Sequence, residues 1–224
     1  MSALTLTLKK SPQFKLSCVG ITPNKLAGLN TTQIKNLKLG TSKNAPLLTD
    51  YFEVAGDDVS HIIFKSSSSQ LDNIGFEMKS GQITVDGDAG DFLGAKMRGG
   101  TIICKGNAND RVADQMRRGL ILIDGNAGEY CASRMIAGTV GIYGNVGAYL
   151  GFSLRRGTLL LTKTPSAQAT WQDCGTHTLP FLSLLFAALK PLDSKFAKLN
   201  NTRVQRWMGD ASQNGKGEIL LVQP

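Results

Sequence analysis

The sequence predicts a mainly β protein, a right-handed parallel β-helix of about 19 residues per coil with small α/β capping segments. Two observations lead to this prediction. Glycines recur every 19 residues through the middle of the chain, and apolar residues alternate between them. Alternation is the periodicity of a β-strand, and Gly, Asn and Asp between short strands indicate turns.

The repeat has several columns in one register, and glycine dominates four of them. They are Gly81, Gly100, Gly119, Gly138 and Gly157; Gly87, Gly106, Gly125 and Gly144; Gly75, Gly94, Ala113, Ala132 and Gly151; and Gly90, Asn109, Gly128 and Gly147. Asn is the residue besides Gly that best adopts a left-handed backbone, so we expect that conformation in the fourth column.

A period of 19 residues restricts the architecture. It is too short for repeats of helical pairs, and the leucine-rich frame is absent. Coils stacked about 4.8 Å apart turn each column into a ladder of like residues. A left-handed hexapeptide helix needs a multiple of six residues per coil, so the right-handed form is favoured. One predicted side-chain amide ladder consists of Asp88, Asn107, Asn126 and Asn145.

The chain divides into three predicted parts. Residues 1–57 form an N-terminal capping segment, residues 58–163 the repeats, and residues 164–224 a C-terminal cap of helix and strand. A single coil buries too little apolar surface to offset the entropy of ordering it, so stacked units need capped ends.

Local patterns predict the elements of the two caps. Strands are expected at Leu4–Leu8 and Phe14–Val19, a short helix near Thr31–Leu37, and a loop at Ser66–Ser69. Thr178–Leu189 predicts a helix that is apolar all round and therefore buried, over the open coil end or in a subunit interface. The final GKGEILLVQP predicts a strand after a turn.

Composition indicates a soluble, cytoplasmic protein. The 224 residues carry a net charge of +8 without a block of five like charges, which argues against a tail for nucleic acid. The four cysteines are scattered without a CxxC pair, as expected for reduced thiols. The N-terminus lacks a signal-peptide apolar region, and the apolar run Leu179–Leu189 is too short to span a bilayer.

A basic column provides the candidate binding residues. Lys79, Arg98, Arg117 and Arg155 share one register interrupted by Ile136, with Arg118 and Arg156 alongside. Like charges on adjacent coils repel by about 3.5 kcal/mol at an effective dielectric of 20. The column is either a solvated face with local ion pairs or a docking strip for a carboxylate-rich surface on another subunit. Aromatic residues do not interleave with it, which disfavours nucleic acid.

No catalytic set or metal site is predicted. Asp72, Asp91, Asp110 and Glu129 are spaced 19 residues apart, but calcium needs six to eight converging oxygens and a line of single carboxylates does not supply them. We interpret this acidic column as turn-capping residues. Cys174 and His177 form half of a zinc motif without a second pair.

The repeat resembles a β-helical domain shared by two groups of proteins. The motif G-x-x-G-x-x-x-G, complete as GDAGDFLG (87–94) and GNVGAYLG (144–151), is similar to one in the large subunit of glutamate synthase. It also resembles the C subunit of formylmethanofuran dehydrogenase and of its bacterial counterpart, the formyltransferase/hydrolase complex. GNAGEYCA (125–132) departs at its last Gly and GNANDRVA (106–113) at two, which we expect to be mild changes. ITPNKLAGLNTTQIKNLKLG (21–40), DYFEVAG (50–56) and RVQRWMGDASQNGKGEILL (203–221) are similar to the C subunits alone.

The resemblance to the bacterial group implies a non-catalytic scaffold subunit. That complex moves a formyl group from tetrahydromethanopterin to a methanofuran-type carrier and hydrolyses it to formate during formaldehyde oxidation in methylotrophs. The implied partners are an amidohydrolase-type subunit, a formyltransferase subunit and a further non-catalytic subunit, with no cofactor bound by this chain alone. The carrier's polyglutamate tail is a weaker candidate ligand for the basic column. The alternatives are the C subunit of an archaeal formylmethanofuran dehydrogenase and a free-standing carbohydrate-active β-helix.

Overall fold

A computed structural model of the chain describes residues 2–40, 42, 44–166 and 169–222. The protein is mainly β with few helices. The strands are β1 (Ala3–Leu8), β2 (Leu16–Ser17), β3 (Phe52–Ala55), β4 (Asp58–Ser67), β5 (Leu71–Asp72), β6 (Gln82–Gly87), β7 (Thr101–Cys104), β8 (Leu120–Ile123), β9 (Thr139–Ile142), β10 (Arg156–Leu161), β11 (Gln172–Thr178), β12 (Arg203–Gly209) and β13 (Lys216–Val222). The helices are α1 (Pro23–Leu26), α2 (Thr31–Lys35), α3 (Leu48–Tyr51) and α4 (Phe181–Leu189), with 3₁₀ turns at Lys195–Lys198 and Ala211–Gln213.

One mixed sheet of 11 strands contains most of the chain, in the order β11-β12-β13-β10-β9-β8-β7-β6-β4-β1-β3. From β6 to β10 the neighbours pair in parallel, and each residue faces the residue 19 positions later, as Ile83 faces Ile102 and Ile102 faces Ile121. Single parallel bridges with the same offset join Ala89, Ala108, Ala127 and Val146. The predicted register is therefore confirmed, and successive units lie above one another.

Strands from both chain ends continue this stack. β1 pairs in parallel with β4, and β13 pairs in parallel with β10, so that Leu159 faces Ile219. The predicted strands at both termini are thus confirmed, whereas the strand expected over Phe14–Val19 is limited to Leu16–Ser17. Part of the predicted loop Ser66–Ser69 is strand, because β4 continues to Ser67.

The central strands β7, β8 and β9 are buried on both faces, as in parallel sheets covered on each side. Inward ladders such as Ile83, Ile102 and Ile121 form the main core. A second core cluster unites Leu122 and Leu160 with Phe196 of the C-terminal segment. Gly141 of β9 admits that ring, since a Cβ there would lie 2.8 Å from Phe196 Cζ.

Side chains fix the turns between units. Asn107 Oδ1 accepts the backbone N–H of Asn126 at 2.9 Å, and Asn126 Oδ1 accepts that of Asn145 at 2.8 Å. The predicted ladder is therefore present, but it bonds side chain to backbone rather than amide to amide. The side-chain bond from Asn107 Nδ2 to Asp88 Oδ1, 3.2 Å long, is the exception among the described ladder residues.

Two further expectations from the sequence are wrong. The column of Gly90, Asn109, Gly128 and Gly147 does not adopt the left-handed backbone. Glycine is needed at position 90 for another reason: a Cβ on Gly90 would lie 2.2 Å from Asp72 Oδ1. The second error is helix α4, which is not buried all round, because Leu184 is 77% exposed.

The predicted short helix after residue 30 is confirmed as α2. Asn30 Oδ1 accepts the backbone N–H of Gln33 at 2.9 Å, and Gln33 Oε1 accepts that of Asn30 at 2.9 Å. This reciprocal pair is a capping box and sets the start of the helix. Within the described ranges, no helix is long and apolar enough to cross a membrane.

Candidate functional site

A cleft of about 600 Å³ lies between two columns of the stacked units. We call it the basic cleft. It is lined by Glu77, Lys96, Gln115, Arg134 and Ser153 from one column, by Arg98, Arg117, Ile136 and Arg155 from the other, and by Gln213 of the C-terminal segment.

The backbone between the two columns explains why both face outward. The residue between each pair belongs to an apolar column, Met78, Met97, Met116, Met135 and Leu154, whose members are 0% exposed. The first column is left-handed throughout, with φ between 53° and 57°. The inward side chain is therefore flanked by two outward ones in every unit, and stacking turns these into the two walls.

The charge of the basic cleft is strongly positive. Five lining side chains are cationic, namely Lys96, Arg98, Arg117, Arg134 and Arg155, against the single carboxylate of Glu77. Within the described chain, Arg98, Arg117 and Arg155 form no ion pair with a carboxylate. All three are exposed. These three arginines are therefore solvated and have no carboxylate partner within the described residues.

Arg134 was missed by the sequence analysis and differs from the other arginines of the cleft. Its Nη2 donates to both carboxylate oxygens of Asp114, at 3.0 and 2.9 Å. Asp114 is only 2% exposed and also accepts from Ser133 Oγ at 2.6 Å. Arg134 thus neutralises a buried carboxylate, while about half of its side chain stays exposed at the cleft.

Lys96 was also missed, although its position in the 19-residue register could have indicated that it shares a column with Arg134. Residues 77, 96, 115, 134 and 153 share the 19-residue register, but their types are mixed, so no column of like residues stands out. The ammonium group of Lys96 lies 5.4 Å from the centre of the Phe76 ring. This cation–π contact holds the side chain without neutralising its charge.

The structure brings together only part of the predicted basic set. Arg98, Arg117 and Arg155 line the cleft, and so does Ile136, which interrupts their column. Lys79, Arg118 and Arg156 are exposed but are not among the lining residues.

The C-terminal segment is hydrogen-bonded to one wall of the basic cleft, at Ser153. Asp210 Oδ2 accepts the backbone N–H of Ser153 at 2.9 Å, and Asp210 Oδ1 accepts that of Ser212 at 2.9 Å. Burial raises the pKa of Asp210, but hydrogen bonds from Ser212, Ser153 and Thr170 outweigh it and hold the pKa below its ordinary value. An ionised Asp210 therefore ties the segment that contains Gln213 to the wall of the cleft.

The acidic column caps turns, as predicted. Asp72 Oδ1 accepts the backbone N–H of Asp91 at 2.8 Å, and Asp110 Oδ1 accepts that of Glu129 at 2.8 Å. The Lys15 ammonium lies 3.2 Å from Asp72 and 3.5 Å from Asp91. The carboxylates of Asp72, Asp91 and Asp110 are thus bound by backbone or by lysine, and none of the described acidic column pairs with a cation of the basic cleft.

The cysteines and histidines form no site in the part of the chain that the structure describes. All four cysteines are free, and no group of three metal-ligating residues occurs among the described residues. His177 Nε2 bonds the carbonyl oxygen of Cys174 at 2.7 Å. Burial raises the pKa of Cys104 and of Cys131 to about 12, so these two are inert thiols.

Fold and site together define a class: a mainly β protein of stacked 19-residue units with a strongly basic cleft on one side. No family model matches the chain. The C subunit of the formyltransferase/hydrolase complex of Methylorubrum extorquens is 33% identical over 86 residues, which is 38% of this chain and 32% of that protein. The C subunit of the tungsten-containing formylmethanofuran dehydrogenase 2 of Methanothermobacter marburgensis is 33% identical over 92 residues, 39% of this chain and 34% of that protein.

A solved structure extends the similarity to nearly the whole chain. It is a chain of the formyltransferase/hydrolase complex FhcABCD of Methylorubrum extorquens, determined in complex with methylofuran. The TM-score is 0.61 at 29% identity, covering 98% of this chain and 100% of that one. The segments matched by sequence span only about a third of the curated relatives. The chain is homologous to the C subunits of the formyltransferase/hydrolase complex and of formylmethanofuran dehydrogenase.

Proposed function

We propose that this chain is a cytoplasmic, non-catalytic scaffold subunit of a formyltransferase/hydrolase complex. In this role it supports the conversion of formyl-tetrahydromethanopterin to formate, through a furan carrier, in one-carbon metabolism. One observation carries the proposal: the structural similarity to a chain of FhcABCD covers 98% of this chain and 100% of that one. The catalytic work is assigned to an amidohydrolase-type and a formyltransferase subunit, beside a further non-catalytic subunit. No cofactor is assigned to this chain alone.

We further infer that the stacked units wind as a right-handed parallel β-helix over residues 58–163, between capping segments 1–57 and 164–224. The parallel pairing at 19-residue offsets supports the helix. The pairing of β1 and β13 with the outer strands of the stack supports the caps. The vertical ladders that result give a rigid body with flat sides, as a scaffold requires.

The basic cleft is our proposed docking site for a carboxylate-rich surface on a partner subunit. Its three unpaired arginines support this assignment, because a guanidinium group binds a carboxylate through two parallel hydrogen bonds. Ile136 adds an apolar contact among them. A polyglutamate tail of the carrier has the same chemistry and is the second candidate ligand.

The alternative function is that of the C subunit in an archaeal formylmethanofuran dehydrogenase. It is supported by the sequence identity to the Methanothermobacter marburgensis protein, which is 33% and equals the identity to the Methylorubrum extorquens C subunit. The subunits that co-purify with the chain distinguish the two functions, because the alternative predicts subunits that contain molybdenum or tungsten and iron–sulfur clusters in the purified assembly.

Co-purification tests the proposal. The chain, expressed with the other three subunits from its own genome, should elute with the amidohydrolase-type and formyltransferase subunits. Exchange of both Arg98 and Arg117 for Glu should weaken this assembly, whereas Arg118→Glu with Arg156→Glu, outside the cleft, is the matched control. Weaker assembly indicates a protein partner, and loss of bound carrier from an intact complex indicates the polyglutamate tail. Unaltered assembly and carrier content would contradict the docking site.

A further inference from the structure

Helix α4 presents apolar side chains on both of its faces. On one face, Leu182, Phe186 and Leu189 are buried in the same cluster as Leu122 and Leu160 of the sheet. The opposite face has Phe181 at 46% and Leu184 at 77% exposed, followed by the exposed Ala187 and Ala188. A helix that is apolar all round is normally covered on all sides. The inner face satisfies this rule and the outer face does not.

A pocket of about 180 Å³ adjoins the outer face. It is lined by Ser183, Phe186, Ala187, Lys190, Leu199 and Asn200. Its apolar part comes from Phe186 and Leu199, which are buried, and its rim contains the exposed Lys190 at the end of α4. An apolar side chain next to a carboxylate has the chemistry to occupy it: the side chain fills the pocket and the carboxylate pairs with Lys190.

The charges around the pocket decide between two occupants. Lys198, which precedes Leu199, is exposed and basic like Lys190. The nearby Asp193 is paired with Lys105 at 2.8 Å and does not offset them. A second copy would bring two equal basic surfaces together, because a two-fold dimer uses the same patch on both chains. With a net charge of +8, self-association is disfavoured, and an acidic partner is favoured.

We infer that the outer face of α4 and its pocket form a second docking surface, for a different, acidic subunit of the same assembly. This surface shares no residue with the basic cleft. The inference rests on the proposed function, since it needs a partner subunit. It assigns to the C-terminal cap a contact that combines burial of the exposed Leu184 and Phe181 with pairing of Lys190 to an acidic group of the partner.

Leu184→Asp and Lys190→Glu test this surface in the full-length chain, co-expressed with the other three subunits. Each should weaken incorporation into the complex about tenfold or more, as loss of a central interface contact does. The isolated variants should unfold at the temperature of the wild type, because both positions are exposed. Phe14→Asp and Lys65→Glu, an exposed apolar residue and an exposed basic residue outside α4, are the matched controls and should incorporate normally.

The outcomes separate this inference from the proposed function. If the wild type assembles and both α4 variants assemble equally well, the surface is overturned while the proposed function stands. If the wild type joins no subunit, both fail together. Sedimentation of the chain alone tests whether a second copy occupies this surface. Self-association that Leu184→Asp abolishes would assign the surface to a second copy and overturn the inference.

Discussion

Left-handed residues other than glycine are the unusual feature at the residue scale. In three columns that contain residues other than glycine, the backbone is left-handed in every unit, as with Arg111, Tyr130 and Tyr149, whose φ values are 60°, 55° and 60°. Each such residue costs on the order of 1 kcal/mol or more. The stack offsets that cost by repeating the same hydrogen bonds from unit to unit.

The pair Ala113 and Val140 illustrates how the register accommodates a departure from glycine. Ala113 has a φ of 57° in the column of Gly75 and Gly94. A Cβ on Gly75 would lie 2.4 Å from Ile102 Cδ1, and one on Gly94 would lie 2.3 Å from Ile121 Cδ1. In the same register Ala113 faces Val140, which has no δ carbon. The shorter side chain therefore leaves space for the Cβ.

We predict that Val140→Ile destabilises the protein by about 1–3 kcal/mol, because its δ carbon would meet the Ala113 Cβ. Urea unfolding should show that the loss largely disappears in the double variant with Ala113→Gly. An equal loss in both backgrounds would show that the two positions do not contact each other.

Asp210 gives a prediction that depends on pH. Both of its carboxylate oxygens accept backbone N–H groups, so Asp210→Asn would turn an NH₂ group toward a donor. Since the folded-state pKa lies below the unfolded value, the ionised group stabilises the fold above about pH 4, and this contribution is lost as pH falls through the folded pKa.

The expected cost of Asp210→Asn is about 1–2 kcal/mol at pH 7. Urea unfolding at pH 7 and pH 3 should show this difference shrinking in acid. The exposed Asp193→Asn serves as the control and should change little. A difference that is the same at both pH values would exclude the charge as the cause.

At the scale of elements, the sequence predicted those that repeat and was less accurate for those that do not. The ladder through Ile83, Ile102 and Ile121 was predictable because like residues recur in one register. The exposed face of α4 was not, since composition shows that a helix is apolar but not what covers Leu184. The basic cleft was half predicted, because Lys96 and Arg134 belong to a column of mixed residue types.

The arginines of the basic cleft are of two kinds: Arg134 pairs with a buried carboxylate, whereas Arg98 and Arg117 form no ion pair within the described residues. We predict that Arg134→Ala destabilises the fold by about 2–3 kcal/mol, because it leaves the buried Asp114 without its counter-ion. Arg98→Ala and Arg117→Ala should change the free energy of unfolding by no more than about 0.5 kcal/mol. Thermal unfolding measures both. Equal effects of all three substitutions would contradict this division.

At the scale of the whole molecule, the cysteines report on the integrity of the stack. Cys18, Cys104 and Cys131 are buried and Cys174 is partly exposed, on β11. We predict that a thiol reagent at pH 8 modifies Cys174 in the native protein and all four in denaturant, counted by mass spectrometry. Rapid native labelling of Cys104 or Cys131 would show that the stacked units open independently.

Two surfaces on one rigid stack, the basic cleft and the outer face of α4, suit a subunit that holds others in place. In our proposal the cleft binds carboxylates, and the helix offers apolar area for a separate contact. The proposed function assigns no step of the reaction to this chain, so we expect its contribution to be visible only in the assembly.

Turnover of formyl-tetrahydromethanopterin to formate tests this account most directly, when measured on three preparations: the chain alone, the complete complex, and the other three subunits without it. The account predicts no turnover by the chain alone, full turnover by the complex, and a loss of assembly and activity without the chain. Turnover by the purified chain alone, or an intact and fully active complex that lacks it, would contradict the scaffold role.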